Sequence, residues 1–561
     1  MKVTILSGGS GNDKIVKGLT ELYKDCDVKV IINAYDSGKS TGICRKVTNT
    51  LGVSDIRKNH SRMYSAMSSI VNKSILEFYN GRYDIDCVED VLKLLDKWDL
   101  GNLSEYAIKF FNRPESSNYN YKSFNIANII YAEMFSEIGY ERTNEFFTNL
   151  LGIDDFVILN SFDNVYLNAE TESGYVIEDE GDLVDWCNSD DKIIRCTYNG
   201  CSSELNKKAT DRILESDLII ISTGTFWSSI YPTLHYLDLY KYINLSNARK
   251  IWAINNTEDK DSYGVSSNDF IKYLDDLGLD LSKFTIIENL DSIESLHCKN
   301  NNYDIVFASM GNENGKHDSK KFVKEIFRAY YNINTYYDKI IFDFDDTIWS
   351  RKYKEYAEDR ALSIDNIKLL NNIENACVVS GNTYSSIAKK LFEVFGTELE
   401  DCNLNIWADV NSKNYFKNRV VAIIKDFIID DDSKLLITDA LNKLHIEYTI
   451  DSDIDTANIK IKHLSELERT LLFAYLNDYI LSKCNNKYIA KKTGYTTIDI
   501  MSVNNNKKAV YDYLGLCDLK TLYIGDEIDS GNDREIAESC TNFIDVKDIK
   551  ETNFILKLLG D

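Results

Sequence analysis

The sequence predicts an α/β protein built on more than one parallel sheet. Short apolar runs end repeatedly in Gly, Ser, Asn or Asp: VTILSGG from Val3, VKVIINAY from Val28, DLIIISTG from Asp217, KIWAINN from Lys250, DKIIFDFDDT from Asp338, ACVVSGN from Ala376 and KTLYIGDE from Lys520. Helical patterns alternate with these runs. Uninterrupted apolar strands belong to sheets covered on both faces, as parallel sheets are. The polar strand ends are where such folds hold ligands. A chain of 561 residues exceeds one ordinary core, so two or three domains are expected.

The clearest boundary is RAYYNINTYY, from Arg328 to Tyr337, which follows the helical pattern KKFVKEIFRAYY and precedes a fresh buried strand. Residues 1–330 then form one domain, and 338–402 with 494–561 form the core of a second. Residues 403–493 are an insertion between its two pieces. No Gly/Ser-rich linker or internal repeat is visible.

A formal charge of −25 argues against nucleic acid and anionic membrane surfaces as partners, since both would repel the chain. The twelve cysteines show no CxxC spacing, and the six histidines do not pair with them at zinc-site intervals, so the cysteines read as reduced and mostly buried. MKVTILSGG reads as a strand entering a glycine turn rather than a secretory signal. No apolar run reaches the roughly 18 residues of a membrane span. A cytoplasmic protein is expected, with a homo-oligomer left open.

In IIFDFDDTIW an apolar strand delivers Asp343, Asp345 and Thr347 to its carboxyl end. Two neighbouring carboxylates can divide labour, one attacking phosphorus and the other moving protons. They call for a cation, and magnesium suits oxygen ligands and phosphate. Three further pieces follow in order. Ser380 ends ACVVSGNT and offers a hydroxyl to a phosphate oxygen. Lys507 opens a helix in VNNNKKAVYDYLGL and can neutralise a transferring phosphoryl group. Asp526 ends TLYIGDE and is followed by Asp529, Asn532 and Asp533.

This ordered set resembles the haloacid-dehalogenase superfamily from Asp338 to about Leu559. The resemblance implies Asp343 as nucleophile, Asp345 as acid/base with its backbone carbonyl on Mg2+, Ser380 as the second motif and Lys507 as the third. Lys507 is preferred to Lys508 because Val510 and Leu514 then take the apolar helix positions. GDEIDSGNDREIA is similar to the GD…GGNDxEI pattern of phosphomannomutase-like and Cof-type members, which implies magnesium at Asp526 with Asn532 or Asp533 in support. The long interval between Ser380 and Lys507 resembles the subclass with an α/β (C2-type) cap, often acting on sugar phosphates. A phosphomonoester hydrolase is implied, with a phosphomutase as the alternative.

LSGGSGNDKIVKGL sets Gly8, Gly9 and Gly11 between a strand and a helix, where exposed amides suit phosphate. SGKSTG is not a Walker A loop, because Asn33 stands where that motif needs glycine. GGSGNDKIVKGL, INAYDSGKSTGICR, GVSDIRKN, FNIANII and STGTFWSSIYPTL, followed by AINNTED, resemble the motifs of the CofD/YvcK family of 2-phospho-L-lactate transferases and gluconeogenesis-factor-like proteins, in order over residues 1 to 320. The resemblance implies a Rossmann-like fold binding a nucleotide, nucleotide-sugar or related phosphoester. Gly8, Gly9, Gly11, Asp36, Asp55, Arg57, Asn128, Gly224, Thr225 and Ser228 would line that site, with Arg57 on phosphate and Asp36 on a cation. The chain departs from the pattern at Tyr35, which replaces the first aspartate of a pair, in one extra residue of the SGKSTG loop, and at Ser222-Thr223, which replaces Gly-Pro. Two readings stay open for this half: a transferase, making the chain bifunctional, or a nucleotide-sugar-binding regulatory module.

Overall fold

The computed structural model describes residues 1–560 apart from 9–11, 24–25, 69, 201–202, 256–258, 291–301, 312–316, 335, 410, 444–448, 451–456, 461–463, 494–496, 517, 527 and 529–532. The chain divides into two compact units, Met1–Tyr330 and Tyr331–Asp561.

The first unit is built on a seven-stranded sheet. Its order is Asp304–Ala308, Phe284–Asn289, Arg249–Ala253, Leu218–Ile221, Lys2–Leu6, Asp27–Ile32 and Val157–Leu159, and every pairing in it is parallel. Every residue of Leu218–Ile221 and of Phe284–Asn289 is buried, as the continuous apolar runs require. Leu6, Ile31, Tyr35, Ile219, Ile221 and Trp227 share the core on one face. The strand order reverses between Lys2–Leu6 and Leu218–Ile221. Loops leaving neighbouring strands at such a reversal diverge to opposite faces and open a crevice.

The second unit repeats the device. Its seven-stranded sheet runs Arg419–Ile423, Lys413–Phe416, Asn405–Ala408, Ala376–Val379, Lys339–Phe342, Thr521–Gly525 and Asn542–Asp545. The last five are parallel, and the first two extend them as antiparallel strands. Lys339–Phe342 lies at the reversal, between a strand that follows it closely and one far along the chain.

Helices Asp431–Lys443 and Glu466–Lys483 and a four-stranded antiparallel sheet, Thr449–Ile450, Ala457–Lys460, Thr497–Ser502 and Tyr488–Thr493, intervene in the chain. Ile437, Leu441, Leu472, Leu476, Ile498 and Ile500 give this part its own core. The sequence reading opens the insertion at residue 403 and closes it at 493. In the structure Asn405–Ala408 instead pairs in parallel with Ala376–Val379, and Thr497–Ser502 joins the smaller sheet. The apolar pattern of a strand reveals that it is a strand, and not which sheet receives it.

Candidate functional site

In the second unit the strand Lys339–Phe342 carries its ladder one residue further, with Asp343 N donating to Ile524 O at 2.9 Å. The chain then folds back. Asp346 takes a left-handed φ of 54°, and the amides of Ile348 and Trp349 both donate to Phe344 O at 2.9 Å. The turn lets Thr347 Oγ1 donate to Asp526 Oδ1 at 3.0 Å, beyond the end of the neighbouring strand Thr521–Gly525.

Lys507 is the first residue of the helix Lys507–Tyr513, which is capped by Asn506 accepting from Ala509 N at 2.8 Å. Its buried ammonium donates to Asp343 Oδ1 at 2.5 Å and also to Asp533. Burial works against that charge, but Asp343 and Asp533 outweigh it and raise the lysine's pKa. Burial lifts Asp343 to about 7, with Lys507 opposing and Asp533 adding to the rise.

Carboxylate oxygens of Asp343, Asp526 and Asp533 lie within 4.8 Å of one another. Asp533 is fully buried, and its Oδ2 is without a hydrogen bond. Gly525 makes room for it: a Cβ there would lie 2.2 Å from that oxygen. Three convergent carboxylates and one unsatisfied buried oxygen fit a small hard cation taking oxygen ligands.

Asp345 faces a different group. Asn382 Nδ2 donates to its Oδ2, and Lys390 Nζ donates to its Oδ1 at 3.1 Å. Ser380 is buried, its amide on Trp407 O at 2.9 Å and its hydroxyl accepting from Asn382 N at 3.1 Å. Asp343, Lys507, Asp526 and Asp533 therefore meet at one point, with Ser380, Asn382 and Asp345 linked beside Asp343, while Asn532 lies outside the described residues. Reasoning from sequence missed Asn382 and Lys390. Asn382 stood two residues from Ser380 and was findable. Lys390 sits among helical positions where a lysine ordinarily reads as solvated.

In the first unit, residues leaving the strands at the reversal converge as well. A Cβ on Gly8 would lie 2.3 Å from Ser229 Oγ and 3.6 Å from Asp55 Oδ2, so glycine permits a close approach there. Thr225 Oγ1 lies 3.0 Å from Ser229 Oγ and accepts from Ser228 Oγ at 2.5 Å. The carboxylate of buried Asp261 accepts from the amides of Trp227 and Ser228 at 3.1 and 3.2 Å, and burial lifts it to about 7. Gly224 lines a pocket with Thr223, Asn255, Asp259 and Glu288 at the ends of three strands. Gly9 and Gly11 lie outside the described residues.

Asp36 accepts from Gly38 N at 2.9 Å and Thr41 Oγ1 at 3.3 Å. Burial alone would push Asp36 up, yet Lys58, the Gly38 amide, Ser54 and Glu180 together bring it below the usual carboxylate value. Glu180 Oε2 accepts from Ser37 N at 3.3 Å. Burial, with Asp36 and Asp55 close by, drives the Glu180 pKa well upward.

Asn128 Nδ2 donates to Ser40 Oγ at 3.0 Å and Thr41 Oγ1 at 3.3 Å, and its Oδ1 accepts from Arg57 Nε at 2.8 Å. Arg57 also donates to Tyr79 O, and burial brings its pKa down to about 10. Arg57 thus positions Asn128 through Nε, with two of its donors engaged by the protein. Tyr35 is buried with its hydroxyl 3.3 Å from Asn160 Oδ1 and its ring edge-on to Tyr198 and Tyr236. Lys58, Glu180, Ser229 and Asp261 were missed from sequence. Lys58 and Ser229 adjoin chosen residues, whereas Glu180 and Asp261 arrive from distant segments without a motif.

Residues 3–332 match the family model of 2-phospho-L-lactate transferase CofD. The chain belongs to the CofD family. This CofD-family chain is 22% identical over 263 residues to a putative gluconeogenesis factor of Aquifex aeolicus, covering 46% of this chain and 67% of that protein. Among solved structures, a Bacillus halodurans member of the upf0052 family is similar over 58% of this chain and 98% of its own, at 17% identity and a TM-score of 0.45. Over the C-terminal part of the chain, solved structures similar to it include a haloacid dehalogenase-like hydrolase from Bacteroides thetaiotaomicron, with 11% identity, 40% of this chain, 98% of that chain and a TM-score of 0.29. No described helix is long and apolar enough to cross a membrane.

Proposed function

We propose that the second unit of this CofD-family chain is a magnesium-dependent phosphatase working on a small phosphomonoester through Asp343. The observation that carries the reading is the meeting of Asp343, Lys507, Asp526 and Asp533 at the reversal point of a parallel sheet. An Asp343 oxygen forms a bond to phosphorus while the bond from phosphorus to the leaving oxygen breaks, and that oxygen takes a proton from Asp345. Water then attacks the aspartyl-phosphate, its proton passes to Asp345, and the bond to Asp343 breaks to release phosphate. Lys507 meets the negative charge of the phosphoryl group, and Ser380 offers its hydroxyl to one oxygen. Asp343, Asp526 and Asp533 would hold Mg2+, which supplies positive charge for the phosphoryl oxygens. The helices and small sheet between Asp431 and Ser502 act as the cap that selects the substrate. Chelation should abolish phosphate release from a phosphomonoester panel, and added magnesium should restore it. Full turnover in chelator contradicts the reading.

The first unit binds a nucleotide or nucleotide-sugar through its phosphates, at the crevice edged by Gly8, Asp36, Asp55, Thr225 and Ser228. The packing of Tyr35 into the aromatic core favours binding over group transfer, because that position offers a cation no carboxylate. Calorimetry with uridine and guanosine diphosphates and their sugar conjugates tests this, together with a turnover assay for the transferase alternative. Absence of binding by any of them, with the unit folded, counts against it.

A further inference from the structure

The proposed reaction asks Asp345 to give a proton and then take one. Such a carboxylate has to keep one orientation through both halves of the cycle, since small misplacements of a proton-transfer group are expensive in rate. What holds it is a lysine from an unexpected place. Lys390 belongs to the helix Tyr384–Phe395, whose buried positions include Ile387, Ala388 and Leu391. Its side chain is only 13% exposed, and its ammonium lies 3.1 Å from Asp345 Oδ1. The same nitrogen stands 4.7 Å from the centre of the Phe344 ring and 5.8 Å from that of Trp349. Both rings belong to the loop that carries Asp345. An exposed lysine pair wanders and contributes little. This ammonium is confined by two aromatic faces and a carboxylate, so its cation–π contacts and its ion pair fix one geometry.

We propose that Lys390 is a positioning residue for the phosphatase reaction, which with Asn382 pins both oxygens of Asp345 and aims its remaining lone pairs at the leaving group and the attacking water. The inference rests on the reading of Asp345 as the acid/base. Asn382 occupies Oδ2 and Lys390 occupies Oδ1, so rotation of the carboxylate is blocked from both sides. Each oxygen keeps a second lone pair, and the shuttled proton rides there.

The test uses the full chain with saturating magnesium and para-nitrophenyl phosphate as the probe. Lys390→Met keeps the length and the packing but loses the charge. Its kcat should fall roughly ten- to hundredfold with KM nearly unchanged, the signature of misorientation rather than lost binding. Lys390→Arg should recover most of that loss, and Lys389→Met, on the exposed neighbouring residue, should behave as the unaltered chain. Added to Asp345→Asn, Lys390→Met should slow turnover no further. The inference falls if Lys390→Met keeps the original kcat, or if its loss is not restored by arginine and adds in full to that of Asp345→Asn. An Asp345→Asn variant with undiminished turnover removes the acid/base reading and this inference together, whereas a slow Asp345→Asn beside an unimpaired Lys390→Met removes the inference alone.

Discussion

Lys507 Nζ lies 2.5 Å from Asp343 Oδ1, and the same buried ammonium reaches Asp533. One cation thus compensates two carboxylates that burial alone would disfavour. Removing one partner of a buried ion pair is far more damaging than the net value of the pair, because the survivors stay buried and uncompensated. Lys507→Met should therefore destabilise the second unit by about 3–5 kcal/mol in chelator. If these carboxylates hold magnesium as proposed, saturating magnesium should return part of that stability, because it would bind the folded site and not the unfolded chain. Urea unfolding with and without magnesium measures both effects. Equal losses in the two conditions would argue that no cation joins these carboxylates.

The acidity of Asp343 makes a second prediction. Its pKa is raised to about 7, chiefly by burial. Attack on phosphorus needs the ionised form, so turnover at limiting magnesium should fall as pH drops through about 7. A bound cation favours the carboxylate and should move that limb to lower pH. Rate profiles at limiting and saturating magnesium decide the matter, and a limb that stays in place contradicts the assignment of Asp343 to the metal.

The parallel sheets were legible because LIII is wholly apolar and KIIF is apolar after its first residue, and a strand without a polar face must be covered on both sides. Asp343, Ser380, Lys507 and Asp526 were legible for a related reason: three of them end such strands and the fourth opens a helix. Lys390 and Glu180 were not. Each sits on a helix where a charged residue ordinarily faces water, and only the tertiary fold brings one to Asp345 and the other near Asp36. Arg57 shows a further limit: its place beside a phosphate-type loop is legible, whereas its bonds to Asn128 and a backbone carbonyl come only from the tertiary packing.

Gly525 gives a third prediction. It is the last residue of its strand, and a methyl group there would lie 2.2 Å from Asp533 Oδ2 and 3.0 Å from Asp533 Cγ. The carboxylate cannot stay where it is. Gly525→Ala should displace Asp533 from both Lys507 and Asp343, raising the magnesium concentration needed for half-maximal turnover at least tenfold, as displaced supporting groups commonly do at metal sites. Magnesium titration of activity is the measurement. An unchanged half-maximal concentration would show that Asp533 plays no part in holding the ion.

The last prediction concerns whether the two sites act independently. Each unit has its own parallel sheet with a reversal point, and each assembles its cluster from its own residues. Asp343→Asn keeps the side-chain shape and removes the nucleophilic charge, so phosphate release should fall by orders of magnitude while nucleotide binding by the first unit is unaffected. Arg57→Ala acts on the other side. It leaves Asn128 Oδ1 and Tyr79 O without their charged donor, which should destabilise the first unit by about 2–4 kcal/mol and weaken nucleotide binding through a misplaced Asn128. Hydrolysis of a small generic phosphomonoester should survive that change in protein that remains folded. Calorimetry for the nucleotide and phosphate release for the second unit, performed on both variants, give the comparison. If folded Arg57→Ala protein loses its phosphatase activity, or Asp343→Asn alters nucleotide affinity, the two clusters are energetically coupled and the description of two independent sites is wrong.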